Sequence, residues 1–223
     1  MYVGWYMKTK LLTITPETSV FKAREMMDNH RISHLPVTDG KAHLVGLVTD
    51  RDLRQVWASP ATTLSVHELT YVLQKLTVAN VMTRNVVTAT PDMHIERAAL
   101  IIHDKKFGAL PVVKDDRLVG IITVTDLMQV VLTALGLSDN TKRLSLLAVD
   151  RIGLLAEVCN YMAQAGINIS SVLFVPLVAH PDVWQVILRV NTEVYDKAVS
   201  ILTEAGYKVI TQYVEDLTAY LPR

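Results

Sequence analysis

The sequence holds one cysteine, Cys159, among 223 residues. That excludes an intrachain disulfide and fits a reducing compartment. Leu155, Val158 and Met162 surround it at helical spacing, so a buried core position is expected for the thiol. Charge of either sign is not in excess. Lys and Arg number 22, Asp and Glu number 22, and the net charge is zero. A nucleic-acid partner asks for a basic face, as does an anionic membrane surface, and neither is expected here. No apolar run approaches the ~20 residues that a spanning helix needs. Met1-Tyr2-Val3-Gly4-Trp5 has no basic stretch leading into an apolar one, so the expectation is no secretory leader and a cytoplasmic location. The common catalytic signatures are missing too. There is no His-Glu-x-x-His, no Cys-x-x-Cys and no Gly-x-x-x-x-Gly-Lys phosphate loop. His30 and His34 are four apart, the spacing of metal ligands on a helix. The Ile32-Ser33-His34-Leu35-Pro36 stretch leaves the helix, so no metal site is expected. The chain reads as a non-enzyme without a catalytic cofactor.

What the sequence does have is one motif twice. Leu44-Val45-Gly46-Leu47-Val48-Thr49-Asp50-Arg51-Asp52-Leu53 returns as Leu118-Val119-Gly120-Ile121-Ile122-Thr123-Val124-Thr125-Asp126-Leu127. The echo extends upstream, with Val81-Met82-Thr83 answering Tyr6-Met7-Lys8, Thr90-Pro91 answering Thr15-Pro16, and Leu110-Pro111-Val112 answering Leu35-Pro36-Val37. These upstream pairs are offset by 75 and the glycines by 74, so one residue is lost near Asp115-Asp116. Each copy reads as short strand, Thr-Pro turn, amphipathic helix, Leu-Pro-Val strand, polar turn, Val-Gly strand and helix. Val20, Ala23, Met26 and Met27 form one apolar stripe, and Ile95, Ala98, Ala99 and Ile102 form the other. Pro16 and Pro91 suit the turn before each helix, where a missing N–H costs little. A β-α-β-β-α unit of this length leaves one sheet face bare, and two copies bury those faces as a pseudo-two-fold pair.

Thr-x-x-Asp has two readings. It is a capping box, in which Thr49 caps the helix and Asp52 reaches back to open N–H groups. It also aims a carboxylate at a diol such as a ribose, because a carboxylate accepts two O–H bonds side by side. The helix N-terminus beside it favours a phosphate.

These residues resemble a tandem pair of cystathionine-β-synthase (CBS) domains, a Bateman module, over residues 1–136. The resemblance implies a paired cleft for an adenosyl compound such as AMP, ADP or ATP, acting as a regulatory ligand. Carried over, Asp52 and Asp126 hold the ribose, and Thr49 and Thr123 face the phosphate. The adenine walls are Thr13, Ile14 and Thr15 in one copy and Val87, Thr88 and Ala89 in the other. Arg51 and His34 occur in copy one only. Their counterparts are Thr125 and Ala109, so the phosphate-side cations are expected from copy one and the clefts are expected to differ. The alternative for Arg51 and His34 is a solvated surface. The implied boundaries are 1–60 for the first repeat, 61–80 for a connecting helix and 81–136 for the second repeat. Ser59 to Thr63 reads as a loop. Ser65-Val66-His67-Glu68 reads as a capping box opening a helix whose apolar face is Leu69, Val72, Leu73 and Leu76. A helix after Asp126 ends near Leu135 with Gly136 as its cap.

Residues 137–143 are polar and read as a linker. The rhythm then changes. Strands are expected at 144–149, 168–175, 183–190 and 208–214, with helices from Leu154 to Gly166 and over 194–205, and a loop at 176–182. The order βαββαβ predicts a ferredoxin-like sheet with both helices on one face. Asp150-Arg151-Ile152-Gly153-Leu154-Leu155 and Gly166-Ile167-Asn168-Ile169 resemble the signature of an ACT domain, with Ile152 where proline is usual. That resemblance implies a domain over 144–215, a tail over 216–223, dimerisation, and an amino-acid site at Asp150, Gly153, Leu154, Asn168 and Ile169. The alternative reading makes Asp150 a helix N-cap and Asn168 a strand-entry residue. The whole is an α+β protein. A CBS pair followed by an ACT domain, with the connecting residues 65–73, resembles the acetoin-utilisation AcuB-type family. The expectation is a homodimeric regulator that binds an adenine nucleotide, responds to an amino acid and is read by a protein partner. Two alternatives stand beside it. One is a scaffold with vestigial clefts. The other is a regulatory subunit of a separately encoded acetoin- or acetate-metabolism enzyme or transporter.

Overall fold

The computed structural model describes residues 1–57 and 75–222. The expected loop from Ser59 to Thr63, the Ser65–Glu68 capping box and the helical face of Leu69, Val72 and Leu73 lie outside the described residues. The chain divides into two compact units, Met1–Gln129 and Val130–Arg223.

The first unit contains both copies of the repeat. Copy one has α1 (Val20–His30), β1 (His34–Thr38), β2 (Leu44–Thr49) and α2 (Asp50–Trp57). Copy two has α3 (Ile95–Lys105), β3 (Ala109–Lys114), β4 (Arg117–Thr123) and α4 (Val124–Ala134), the last of which runs past the division. β1 pairs with β2, and β3 with β4, both antiparallel. Ser19 caps α1, its hydroxyl accepting from the Lys22 N–H at 3.1 Å. Each of α1 and α3 ends on a left-handed residue, Arg31 at φ 52° and Lys106 at φ 55°.

The short strand expected ahead of each Thr-Pro turn is cut to a single parallel bridge. Ile14 donates to Pro36 O at 3.1 Å and accepts from Thr38 N–H at 2.9 Å; Ala89 donates to Pro111 O and accepts from Val113 N–H, both at 2.9 Å. The next ladder donor two residues on would be residue 16 or 91, and both are prolines with no N–H to give.

The leading segment of each copy lies on the other copy. Val78 and Met82 are buried in the core of copy one with Ile14, Val20, Met27, Leu35, Val37, Val48 and Leu53. Val20 N–H donates to Leu76 O and Val78 N–H to Thr18 O, both at 2.8 Å. At the matching place in copy two, Val3 N–H donates to Met93 O at 2.9 Å and Gly4 N–H to Pro91 O at 2.8 Å. The exchange reaches the Val-Gly strands. Thr83 and Leu47 trade both backbone hydrogen bonds at 2.9 Å, and Lys8 and Ile121 trade theirs at 2.9 and 3.0 Å. Mid-strand glycine permits this approach. A β-carbon on Gly46 would stand 2.5 Å from Met82 Sδ and 3.2 Å from Thr83 O. One on Gly120 would overlap Met7 Sδ and stand 3.2 Å from Lys8 O.

The second unit contains β5 (Thr141–Val149), α5 (Leu154–Gln164), β6 (Ile169–Leu177), β7 (His180–Asn191), α6 (Tyr195–Glu204) and β8 (Val209–Ile210). The four strands form one antiparallel sheet in the order β6-β7-β5-β8, the ferredoxin-like arrangement. Leu144, Leu146, Ala148, Val186, Leu188 and Val190 point to one face. They share a core there with Leu154, Val158 and Met162 of α5 and with Ala198 and Leu202 of α6. Both helices therefore cover that face.

Several boundaries differ from expectation. Residues 141–143, read as linker, are the start of β5, paired with Asn191, Val190 and Arg189. The preceding turn is also bound into this unit, since Ser171 Oγ donates to Leu135 O at 2.7 Å and Thr141 Oγ1 to Gly136 O at 3.0 Å. The expected loop over 176–182 is mostly strand. Pro176 pairs with Trp184, which β6 tolerates because it is an edge strand. The last strand is only Val209–Ile210. Cys159 is half-buried rather than fully buried. Among the described residues no helix is long and apolar enough to cross a membrane.

Gly46→Ala should lower the stability of the full chain by about 1–3 kcal/mol, the usual range for overpacking. Urea unfolding of Gly46→Ala, Met82→Ala and the double variant should show a coupling of at least about 0.5 kcal/mol, since the two side chains compete for one space. Additive losses would mean that the strand moves away instead.

Candidate functional site

The two Thr-x-x-Asp motifs fold identically, and each uses one carboxylate oxygen locally. Asp52 Oδ2 accepts from Thr49 N–H at 2.8 Å and from Thr49 Oγ1 at 2.7 Å, while Asp52 N–H donates to Thr49 Oγ1 at 3.3 Å. Asp126 Oδ2 accepts from Thr123 N–H at 2.9 Å and from Thr123 Oγ1 at 2.7 Å, with the return bond at 3.2 Å. This is a capping box in both copies. It also locks each aspartate rotamer and leaves Oδ1 as the outward acceptor. The capping and diol-binding roles are therefore compatible in one residue.

The two outward oxygens are treated differently. Asp126 Oδ1 meets Lys8 Nζ at 3.1 Å, with the Asp126 side chain 12% exposed and Lys8 62% exposed. Copy one places Thr83 where copy two receives Lys8, and among the described residues nothing engages Asp52 Oδ1.

A cavity of about 500 Å³ opens beside the copy-two motif. Thr123, Thr125 and Ile121 line it from copy two, with Gly108. Lys8, Lys10, Leu11, Leu12, Pro36 and the run from His30 to His34 line it from copy one. Asp126 is bonded to two of these lining residues, Thr123 and Lys8. His34 crosses between the copies, its ring lying where a β-carbon on Gly108 would fall. Burial lowers the His34 pKa below its ordinary 6.5, against the opposing pull of Asp52 and Asp50. Burial thus favours the neutral ring, and His34 lines the cavity from the copy-one side.

The remaining expected residues divide. Thr49, Thr123, Asp52 and Asp126 occupy the motif positions just described. Arg51 is exposed beside Asp50, Arg54 and Gln55, and it holds in copy one the place that cavity-lining Thr125 holds in copy two. The expected adenine-wall residues differ in burial. Ile14 and Ala89 are buried in the core by their strand bridges, while Thr13 and Thr15 are exposed. The apolar wall of the cavity is Leu11 and Leu12, just upstream. Lys8 was missed because its partners, Ile121 and Asp126, lie over a hundred residues away in copy two; the Lys8/Thr83 mismatch in the repeat was the available signal, and Lys10 follows it into the cavity lining.

In the second unit the expected amino-acid site is not assembled as one cluster. Gly153, at φ 87°, is the N-cap of α5, so Asp150 is not. Asp150 N–H donates to Asp182 O at 3.0 Å. Leu154 is buried, Ile169 pairs with Val190, and Asn168 is exposed. A cavity of about 500 Å³ is lined by Leu154, Arg151, Tyr207, Lys208 and Tyr220 among others, but by neither Asp150 nor Asn168. Two of these lining residues hold Glu157: Arg151 pairs with it, and the Tyr207 hydroxyl donates to it at 2.9 Å. Burial, followed by that carboxylate, pushes the Tyr207 pKa up to about 12.

A duplicated unit with exchanged leading segments, twin capped aspartates and a cavity walled by both copies defines a paired-repeat module. Residues 4–59 and 78–133 each match the CBS domain family, and the chain belongs to that family. It is 31% identical over 160 residues to the inosine-5'-monophosphate dehydrogenase of Staphylococcus aureus, covering 70% of this chain and 30% of that enzyme. Among solved structures it resembles CBSX2 of Arabidopsis thaliana in complex with AMP. That likeness has 30% identity and a TM-score of 0.50, over 59% of this chain and 96% of the other. It also resembles a putative acetoin utilization protein (AcuB) from Vibrio cholerae, at 27% identity and a TM-score of 0.52, over 60% and 93%.

The lowered His34 pKa has a testable sign. Below the unfolded value of 6.5 the unfolded chain binds a proton that the folded chain refuses, so stability falls as the pH drops through that region. Urea unfolding at pH 7.5 and 5.5 should show a smaller acid-induced loss in His34→Gln than in the native chain. An equal loss would show that His34 is not the group responsible.

Proposed function

We propose that this chain is a non-catalytic regulatory protein whose CBS pair binds an adenine nucleotide of the AMP, ADP or ATP type. One observation carries the reading. Each copy locks an aspartate through one oxygen and turns the other outward, and in copy two this occurs beside a cavity with an apolar wall and a cationic rim. The apolar wall suits a purine, the aspartate a ribose diol, and Thr123 with Lys10 and Arg31 a phosphate. The AMP bound to CBSX2 supports the same ligand class. In this reading Asp52 and Asp126 hold ribose, with Thr49, Thr123 and Arg51 on the phosphate side of their clefts.

The same proposal covers the rest of the chain. The domains run 1–60, 81–136 and, from the start of β5, 141–215, with 61–80 connecting the CBS repeats. The βαββαβ order supports an ACT domain that dimerises and takes an amino acid near the turn before α5. The assembly is a cytoplasmic homodimer. Ligand preference for one packing of the repeats is passed on to a protein partner. A scaffold with vestigial clefts is the second reading, and the Lys8–Asp126 pair favours it, because that contact satisfies Asp126 without any ligand. The regulated partner in either case is a separately encoded enzyme or transporter, of the acetoin or acetate type if the AcuB likeness extends to role.

Thermal unfolding against AMP, ADP, ATP and the amino acids tests the choice. A nucleotide at ~100 times Kd should add about 2.7 kcal/mol, a rise of several degrees at this size. Asp52→Ala and Asp126→Ala should each weaken binding at their own cleft by about 10–100-fold. A melting temperature that ignores every nucleotide would decide for the scaffold.

A further inference from the structure

The two clefts of this module differ at one backbone-fixed position. Lys8 is pinned to β4 by both its N–H and its C=O, two residues from Thr123. Thr83 is pinned to β2 in the same way, two residues from Thr49. The ammonium therefore cannot be an accident of a wandering segment. Its backbone is registered to the copy-two motif, and only its side chain, 62% exposed, can swing.

We infer that Lys8 makes the copy-two cleft selective for phosphorylated adenosine over the bare nucleoside, by holding Asp126 until an anionic group draws its ammonium away. This rests on the nucleotide reading above. Asp126 Oδ2 is consumed by Thr123, so the ribose must bond Oδ1, and Oδ1 already accepts from Lys8 Nζ at 3.1 Å. A neutral nucleoside displaces a charged donor with an uncharged one and leaves the ammonium to solvent, with no anion in exchange. A phosphate in the same cavity gives that ammonium a second anion within reach of its four-carbon stem, beside Lys10 and Arg31. The ribose then receives Oδ1 while the ammonium keeps an anionic partner. Copy one, with Thr83 at this position, has no such discrimination from this source.

Calorimetric titration of the full chain with AMP and with adenosine tests this, in an Asp52→Ala background so that the copy-two cleft reports alone. AMP should bind at least about tenfold more tightly than adenosine at low salt, and the ratio should narrow as salt rises. Lys8→Thr, which installs the copy-one residue, should collapse the ratio to about twofold, with AMP weakened and adenosine strengthened. Lys8→Gln, which removes only the charge, should do the same and covers the case in which Lys8→Thr folds poorly. An unchanged ratio in these variants, with AMP binding still lost in Asp126→Ala, would overturn the role of Lys8 and leave the nucleotide reading standing. No binding of either ligand to any variant would overturn both.

Discussion

Two contacts between a methionine and a glycine hold the first unit together. Met82 packs on Gly46 and Met7 on Gly120, each side chain arriving from the other copy of the repeat. A glycine in mid-strand weakens a strand by itself, since it contributes no side chain and gives up the most backbone freedom. Here it lets a neighbouring backbone come close enough for two-way hydrogen bonding, Leu47 with Thr83 and Ile121 with Lys8. Every other feature of the site depends on that approach. It brings the leading segments against the Val-Gly strands, buries Val78 and Val3, and sets Lys8 beside Asp126.

The Thr-x-x-Asp motif shows how one short sequence serves stability and chemistry together. A carboxylate has about four lone-pair positions, and a capping box needs only some of them. The cap removes the rotameric freedom that would otherwise oppose ligand binding. A ligand then meets an acceptor already aimed, which is the advantage of preorganisation. The charge partner of that acceptor is set by a residue outside the motif, so the two motifs can be identical and their clefts unlike.

How much of this was legible in the sequence follows from the range of each interaction. The repeat, its helices, the Leu-Pro-Val and Val-Gly strands and the capped aspartates are local patterns, and their spacing placed them correctly. Pro16 and Pro91 were read as helix-turn residues, and their further effect, ending the strand bridges at Ile14 and Ala89, needs the partner strand to be seen. The exchange of leading segments is non-local. Tyr6-Met7-Lys8 reads as part of copy one until its hydrogen bonds to Ile121 are known. In the second unit the βαββαβ order was legible from alternation and from Gly153 and Gly166. The extra length of β5 was not, because Thr141, Lys142 and Arg143 are polar residues that pair at the strand end. The expected amino-acid residues do not gather in one cluster, for a related reason. Asp150 and Asn168 are near one end of the sheet in sequence logic, but backbone pairing and burial put Leu154 and Arg151, not them, around the cavity.

The exchange also orders events during synthesis. Copy one cannot close its core when residue 57 leaves the ribosome, since Leu76, Val78 and Met82 are still to come. Copy two meets no such delay, because its missing piece, residues 1–8, was made first. Those eight residues wait until Pro91, Met93 and finally Ile121 emerge to receive Gly4, Val3 and Lys8. At ~5–20 residues per second that is an interval of several seconds in which Val3 and Met7 are open to the wrong neighbour. A segment made ahead of copy one is thus placed only with copy two. A nascent chain arrested before copy two would show an open first repeat and an unplaced segment over residues 1–8, however complete its local helices.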